Sequence, residues 1–221
     1  MTTWQASPGR WKSWQILNNR DRRLVAILFA IASLPVSADD WLFREDVIRE
    51  PVPGRFSVCF DHSCRTIVTR SVSNQEWQRI TAPLQTPASV AADERAAIAL
   101  GIALMEQAVG EKTGTSGDRG GNLAGFGELG QMDCIDESNN TTTYLKLLQQ
   151  DGRLLHHEVE ARATRFGLSA GMPHTTAVIE DIAARQRYAV DAWFFDNGQP
   201  PVIVPLDEWK SGWRPDGGRD E

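Results

Sequence analysis

Residues 174–193, HTTAVIEDIAARQRYAVDAW, decide how the chain folds. Two segments around them, HTTAVIEDI (174–182) and YAVDAWFF (188–195), are rich in β-branched and aromatic residues that alternate with a period of two, the mark of strands. The link at 183–187 is too short for a crossover, so the strands are expected to form an antiparallel hairpin. His174, opening the first strand, then comes near Asp191 in the second, with both side chains on one face. Asp191 stands between Val190 and Ala192, and an aspartate among apolar neighbours needs a partner.

Working outward, LHHEVEARATRF (155–166) reads as a further strand on which His156 and His157 are structural and point to opposite faces. VIVPLDEW (202–209) reads as an edge strand or extended tail, because Pro205 cannot donate to a ladder. Upstream, 134–150 reads as a helix capped by Asp133, with Asp136 at the capping-box offset and Asp151-Gly152 to end it. The clearest helix is 93–111, where Ile98, Ile102, Met105 and Val109 line one face. Gly101 within it costs about 1 kcal/mol against alanine, a concession to close approach by another element. Ser73 and Glu76 form a capping box for a short helix, and FSVCFDHSCRTIV (56–68) reads as a hairpin. Helices followed by an antiparallel sheet mean an α+β fold, with helices packed on the sheet.

The chain of 221 residues is long enough for one domain with a proper core. Residues 39–90 are read as part of the same domain as a core at 91–213, and 214–221 as a disordered tail. Arg20, Arg22 and Arg23 precede the apolar run LVAILFAIASLPVSA (24–38), which ends in the small-residue exit Val36-Ser37-Ala38. This is the pattern of a secretory signal, expected to be cleaved after Ala38, which would leave no integral membrane span and place the protein in the periplasm or outside the cell; the alternative is an uncleaved anchor or a buried helix. Removing residues 1–38, with five basic residues and one acidic, takes the net charge from −6 to −10. No basic patch remains to track a phosphate backbone, so nucleic acid is not an expected partner.

Cys59 and Cys64 flank a tight loop that a disulfide can close, and such bridges persist in oxidising compartments. Only His62 lies near, as an exposed loop residue, so no metal site is expected there. Residues 113–132 hold seven glycines and form a loop. Its GFGELG (125–130) has the spacing of a dinucleotide fingerprint, but no strand leads into it and no βαβ unit surrounds it.

Cys134 is the odd cysteine. It falls in the first turn of a helix, where unpaired N–H groups favour an anion, so its thiol pKa is expected to fall. A nucleophilic cysteine needs a base, and the base an orienting group; His174 and Asp191 supply both. Gln131 and Glu128 precede the cysteine, and Gln131 is the candidate oxyanion donor because its amide has N–H to give. Trp193, Phe194, Phe195, Trp209 and Trp213 are read as core or cleft wall. The sequons at 139–142 fall on the helix and carry no reading.

A cysteine at a helix start, a histidine opening a strand and an aspartate on the next strand resemble the transglutaminase-like, papain-related cysteine hydrolases. The nearest likeness is to their bacterial periplasmic branch, with D-C-[ED]-D, H-x-V-L-like and [VL]-L-D-N-like motifs. The matching residues are Asp133-Cys134-Ile135-Asp136, His174-Thr175-Thr176-Ala177-Val178 and Tyr188-Ala189-Val190-Asp191-Ala192-Trp193, within 93–195. The resemblance implies a transglutaminase-like or papain-like core. It also implies an exported hydrolase or acyl transferase that acts on peptide or protein amides through Cys134, His174 and Asp191. Ile135 departs from the family's acidic position, and Trp193 stands near where asparagine is common. Members of that branch bind calcium through acids beside the cysteine; here Asp133, Asp136 and Glu137 remain as oxygen donors, and no cofactor is expected. The alternative from another class is a catalytically inactive binding or assembly protein on the same fold.

Overall fold

A computed structural model describes residues 46–122, 125, 127–168 and 172–215. The signal expected at 1–38 and residues 216–221 of the expected tail lie outside the described residues. The elements run β1 (Phe56–Phe60), β2 (Thr66–Arg70), α1 (Asn74–Ile80), α2 (Ala91–Thr113), α3 (Cys134–Gln150), β3 (His157–Leu168), β4 (Met172–Asp181), β5 (Gln186–Asp191), β6 (Val202–Pro205) and α4 (Leu206–Lys210). The fold is α+β with two antiparallel sheets: the β1–β2 hairpin, and a four-stranded sheet in the order β3-β4-β5-β6.

The period-two pattern of β4 and β5 sorts their side chains onto two faces. Ala177, Ile179 and Val190 join the main core with Ile98, Ile102 and Met105 of α2 and Leu145 and Leu148 of α3. Val178 and Ala189 point the other way and, with Ala163, meet Leu206 and Trp209 of α4. The sheet is therefore covered on one face by α2 and α3 and on the other by α4. Gly101 allows the expected approach: a Cβ there would stand 3.2 Å from Leu84 Cδ1 and 3.5 Å from the Ile80 carbonyl oxygen.

Both predicted capping boxes form, Ser73–Glu76 on α1 and Asp133–Asp136 on α3. Two boundaries differ from the sequence reading by more than two residues. The segment 202–209 is strand only to Pro205, and Leu206–Lys210 is helical. Pro205 has no N–H to extend a ladder, and Asp207 and Glu208 sit in the first helical turn, where free N–H groups favour acids. β5 stops at Asp191 instead of 195, because the chain turns there: Phe195 N–H donates to the Ala192 carbonyl at 3.0 Å, and Gly121 N–H takes the Trp193 carbonyl at 2.7 Å.

Candidate active site

Cys134 is the first residue of α3, and the cap in front of it is fully formed. Asp133 Oδ1 accepts from the N–H groups of Ile135 at 3.0 Å and Asp136 at 2.9 Å, while Asp136 Oδ2 accepts from Asp133 N–H at 3.2 Å. The same two acids reach the tip of the β1–β2 hairpin. There Asp61, His62, Ser63 and Cys64 all have left-handed φ values, 67°, 67°, 55° and 52°. This run turns successive N–H groups into a concave nest suited to an anion. His62 N–H donates to Asp136 Oδ2 at 2.7 Å, Cys64 N–H to Asp136 Oδ1 at 2.6 Å and Ser63 N–H to Asp133 Oδ2 at 2.9 Å.

The Cys59–Cys64 disulfide closes the loop, with Cα atoms 4.6 Å apart. Asn140 of α3 fastens it further by accepting from Cys59 N–H and donating to its carbonyl, each at 2.8 Å. His62 is buried in this assembly, not the exposed loop residue expected, because the left-handed turn folds it inward against α3. Asn139 and Asn140 are buried as well, so the sequons face protein.

His174 and Asp191 come together as the hairpin predicts. Nε2 of His174 lies 2.7 Å from Asp191 Oδ2, and both side chains are buried. Ala177 stands opposite Val190 in the ladder, so Asp191 reaches His174 along the diagonal. A carboxylate accepts only, so this bond assigns the imidazole proton to Nε2. Nδ1 is buried and has no hydrogen-bond partner among the described residues. Trp193, Phe194 and Trp209 pack about the imidazole with ring centroids at 4.9, 5.3 and 5.4 Å.

The Cys134 thiol lies against the β4 backbone on either side of His174. Sγ is 4.0 Å from the Pro173 carbonyl oxygen and is approached by the Thr175 N–H. Burial pushes the thiol up to about 12; the Thr175 N–H pulls the other way, and Asp133, Asp191 and Asp136 add negative charge that raises it further. The expected fall in thiol pKa is thus reversed. The first-turn donors that were to favour a thiolate are occupied by Asp133, and the acids of the cap oppose a second negative charge.

Gln131 is buried in the glycine-rich loop. Its Nε2 donates to the Gly117 carbonyl at 3.0 Å, and its Oε1 accepts from Asn122 Nδ2 at 2.7 Å and Arg119 N–H at 3.3 Å. Its amide thus organises the loop that leads to Cys134. Gly130 in that loop requires glycine, with φ of 76° and a hypothetical Cβ only 2.5 Å from the Gly114 carbonyl oxygen. Glu128 pairs with Arg119 at 2.8 Å on the surface.

The acids beside the thiol, the oxygen donors left by the sequence pattern, have partners within the protein. Asp133 and Asp136 are engaged by the cap and the nest. Glu137 points into a buried carboxyl group with Glu106 and Asp118. Among the described residues no set of three His, Cys, Asp or Glu is placed to hold a metal ion. His156 and His157 are structural as read: His156 Nε2 lies 3.0 Å from the Ala88 carbonyl oxygen, and His157 Nδ1 lies 2.8 Å from Glu94 Oε1.

Two residues of the site were not found from sequence. Trp209, expected only as core or cleft wall, donates its Nε1–H to Asp191 Oδ2 at 2.7 Å. Arg165 of β3 stands opposite His174 and lays its guanidinium over the Trp209 ring at 4.3 Å. The helix-start pattern Pro205-Leu206-Asp207-Glu208 could have placed Trp209 on α4; nothing in the sequence singles out Arg165. No family model, no curated protein and no solved structure matches the chain.

Proposed function

We propose that the protein is an exported, thiol-dependent hydrolase or acyl transferase acting on peptide or protein amides, with a transglutaminase-like core. The observation that carries this reading is the buried His174–Asp191 pair: Nδ1 of His174 has no hydrogen-bond partner among the described residues, the Cys134 thiol included, and His174 stands on β4, whose backbone touches that thiol. A buried ring nitrogen without a partner costs free energy, and a base awaiting a proton is a physical reason to keep one. Export is supported by the disulfide and by the leader pattern of residues 20–38.

In this reading the resting thiol is neutral. Sγ attacks the amide carbonyl carbon as its proton passes to His174 Nδ1. Asp191 holds Nε2–H and stabilises the imidazolium that forms. The imidazolium then gives its proton to the departing amine as the C–N bond breaks, leaving a thioester on Cys134. Water or a second amine attacks the thioester, with His174 again taking the proton, and the thiol is regenerated.

The inactive binding or assembly protein remains as a second reading, favoured by one observation: a thiol pushed up to about 12 and hydrogen-bonded to a carbonyl is in a resting, unreactive state. Alkylation of the native protein by iodoacetamide separates the two. If His174 serves as the base, His174→Gln slows labelling of Cys134 by about 10²-fold at neutral pH. Equal labelling rates in the wild type and His174→Gln would refute the enzymatic reading and leave the binding protein.

A further inference from the structure

Asp191 Oδ2 receives two hydrogen bonds from opposite directions. His174 Nε2 lies at 2.7 Å on β4, and Trp209 Nε1–H at 2.7 Å on α4. Trp209 is completely buried, and its ring lies 5.4 Å from the imidazole at an interplanar angle of 35°. It is itself clamped from β3, with the Arg165 guanidinium over the indole at 4.3 Å and Arg165 Nη1 bonded to the Trp209 carbonyl. Arg165 is buried, its Nε and Nη2 have no partners among the described residues, and its charge acts on Asp191.

We infer that Trp209 is a positioning residue for the His174–Asp191 pair, with Arg165 as the clamp that fixes it. The inference rests on the thiol reading above. A carboxylate held by one donor can rotate and exchange which oxygen faces the ring. A second donor on the same oxygen fixes the rotamer and keeps the buried group an acceptor. An acceptor at Nε2 keeps the imidazole proton there and leaves the Nδ1 lone pair free for the thiol proton. A tryptophan retained only to fill space would need no partner for its N–H beyond any nearby acceptor. Here the acceptor is the oxygen that orients the base, and the indole is fixed by a buried cation that leaves two of its own donors unpaired.

The test uses the full chain with 15N-labelled histidine. In the wild type the Nε2-bound proton of His174 should resonate far downfield and exchange slowly with solvent. Trp209→Phe keeps an aromatic ring but removes the pyrrole half of the indole together with its N–H, so circular dichroism and the melting temperature are checked alongside. The substitution should move that resonance upfield and slow iodoacetamide labelling of Cys134 by about tenfold, the scale of losing a group that orients a functional side chain. Arg165→Met keeps the indole N–H but frees the ring; it should shift the same resonance in the same direction by less, and it carries the test if Trp209→Phe does not fold. An unchanged His174 resonance in the folded variants overturns the inference. The two readings fail separately. A resonance that responds to Trp209→Phe, with wild-type labelling equal to that of His174→Gln, refutes the thiol chemistry and leaves the positioning contact. Normal His174-dependent labelling that Trp209→Phe does not alter refutes the positioning role alone.

Discussion

The two sides of Cys134 are built on opposite principles. On the cap side, Asp133 and Asp136 accept six backbone N–H bonds from α3 and the Asp61–Cys64 loop, and a disulfide closes that loop. On the histidine side, the His174–Asp191 pair is wrapped by Trp193, Phe194 and Trp209, and buried nitrogens of His174 and Arg165 lack partners among the described residues. Backbone donors bonded to fixed carboxylates lock the cysteine's position, and nothing in that network is free to take part in a reaction. The aromatic side stabilises less per polar group and holds the groups that can still form a bond. On the proposed reading, stability and reactivity are divided across one residue, and the division can be broken from either side.

The largest loss should come from the cap. Asp136→Asn conserves shape, but its amide nitrogen must face one of the donors that Asp136 now accepts, either Cys64 N–H at 2.6 Å or His62 N–H at 2.7 Å. Asp136 is fully buried, so water cannot compensate. Urea unfolding should show a loss of about 3 kcal/mol, the scale of a buried charge-assisted network left unsatisfied. A loss below about 1 kcal/mol would mean that the nest is solvated in practice and that the contrast between the two sides is false. Cys59→Ser with Cys64→Ser should cost less, about 2 kcal/mol for so short a loop on the chain-entropy model. The double variant should also speed labelling of Cys134, because the loop that holds Asp133 and Asp136 loosens.

Beneath the cap, Glu106 of α2, Asp118 of the loop and Glu137 of α3 share a buried site, with Asp196, Asp136, Asp191 and Tyr144 as their further charged or titratable neighbours. Burial raises Glu106 to about 8 and Asp118 to about 7, above their ordinary carboxyl values. A raised carboxyl binds its proton more tightly in the folded state. Its stabilisation is complete below the unfolded pKa and disappears as pH climbs through the folded value. The melting temperature should therefore fall between pH 5 and pH 8, on the order of a few degrees, and Glu106→Gln should flatten the slope. A melting temperature that rises over this window would show that the group is ionised and paired.

What could be read from the sequence follows the same division. Local rules cover most of the fold. Asp133 and Asp136 have capping-box spacing, α3 runs over the residues expected, and a short link joins β4 to β5 and brings His174 to Asp191. Contacts made between distant segments were not legible. The Asp61–Cys64 nest depends on four successive left-handed residues, none of them glycine, a conformation stabilised only once α3 presents its acids. His62 is buried for that reason. The direction of the thiol's pKa shift is not legible either, because burial, the largest cause, is a property of the packed molecule, and the cap that defines the helix start also consumes the donors expected to favour a thiolate.

The smallest effect is expected on the aromatic side, and it is the most diagnostic. Among the described residues Arg165 is a buried cation with two nitrogens that lack hydrogen-bond partners; its guanidinium meets the Trp209 ring and the Trp209 carbonyl and feels the charges of Asp191 and Arg214. Burial works against its charge and pulls its pKa down, with only Asp191 opposing. Replacing such a cation by a flexible apolar chain removes a desolvation cost together with a hydrogen bond, and the two nearly cancel. Arg165→Met should therefore change unfolding free energy by less than about 1 kcal/mol while it still perturbs the His174 ring proton. A loss of about 3 kcal/mol or more would place Arg165 with Asp136 as a structural charge. The histidine side would then be a second locked network instead of the reserve of reactive groups that the contrast requires.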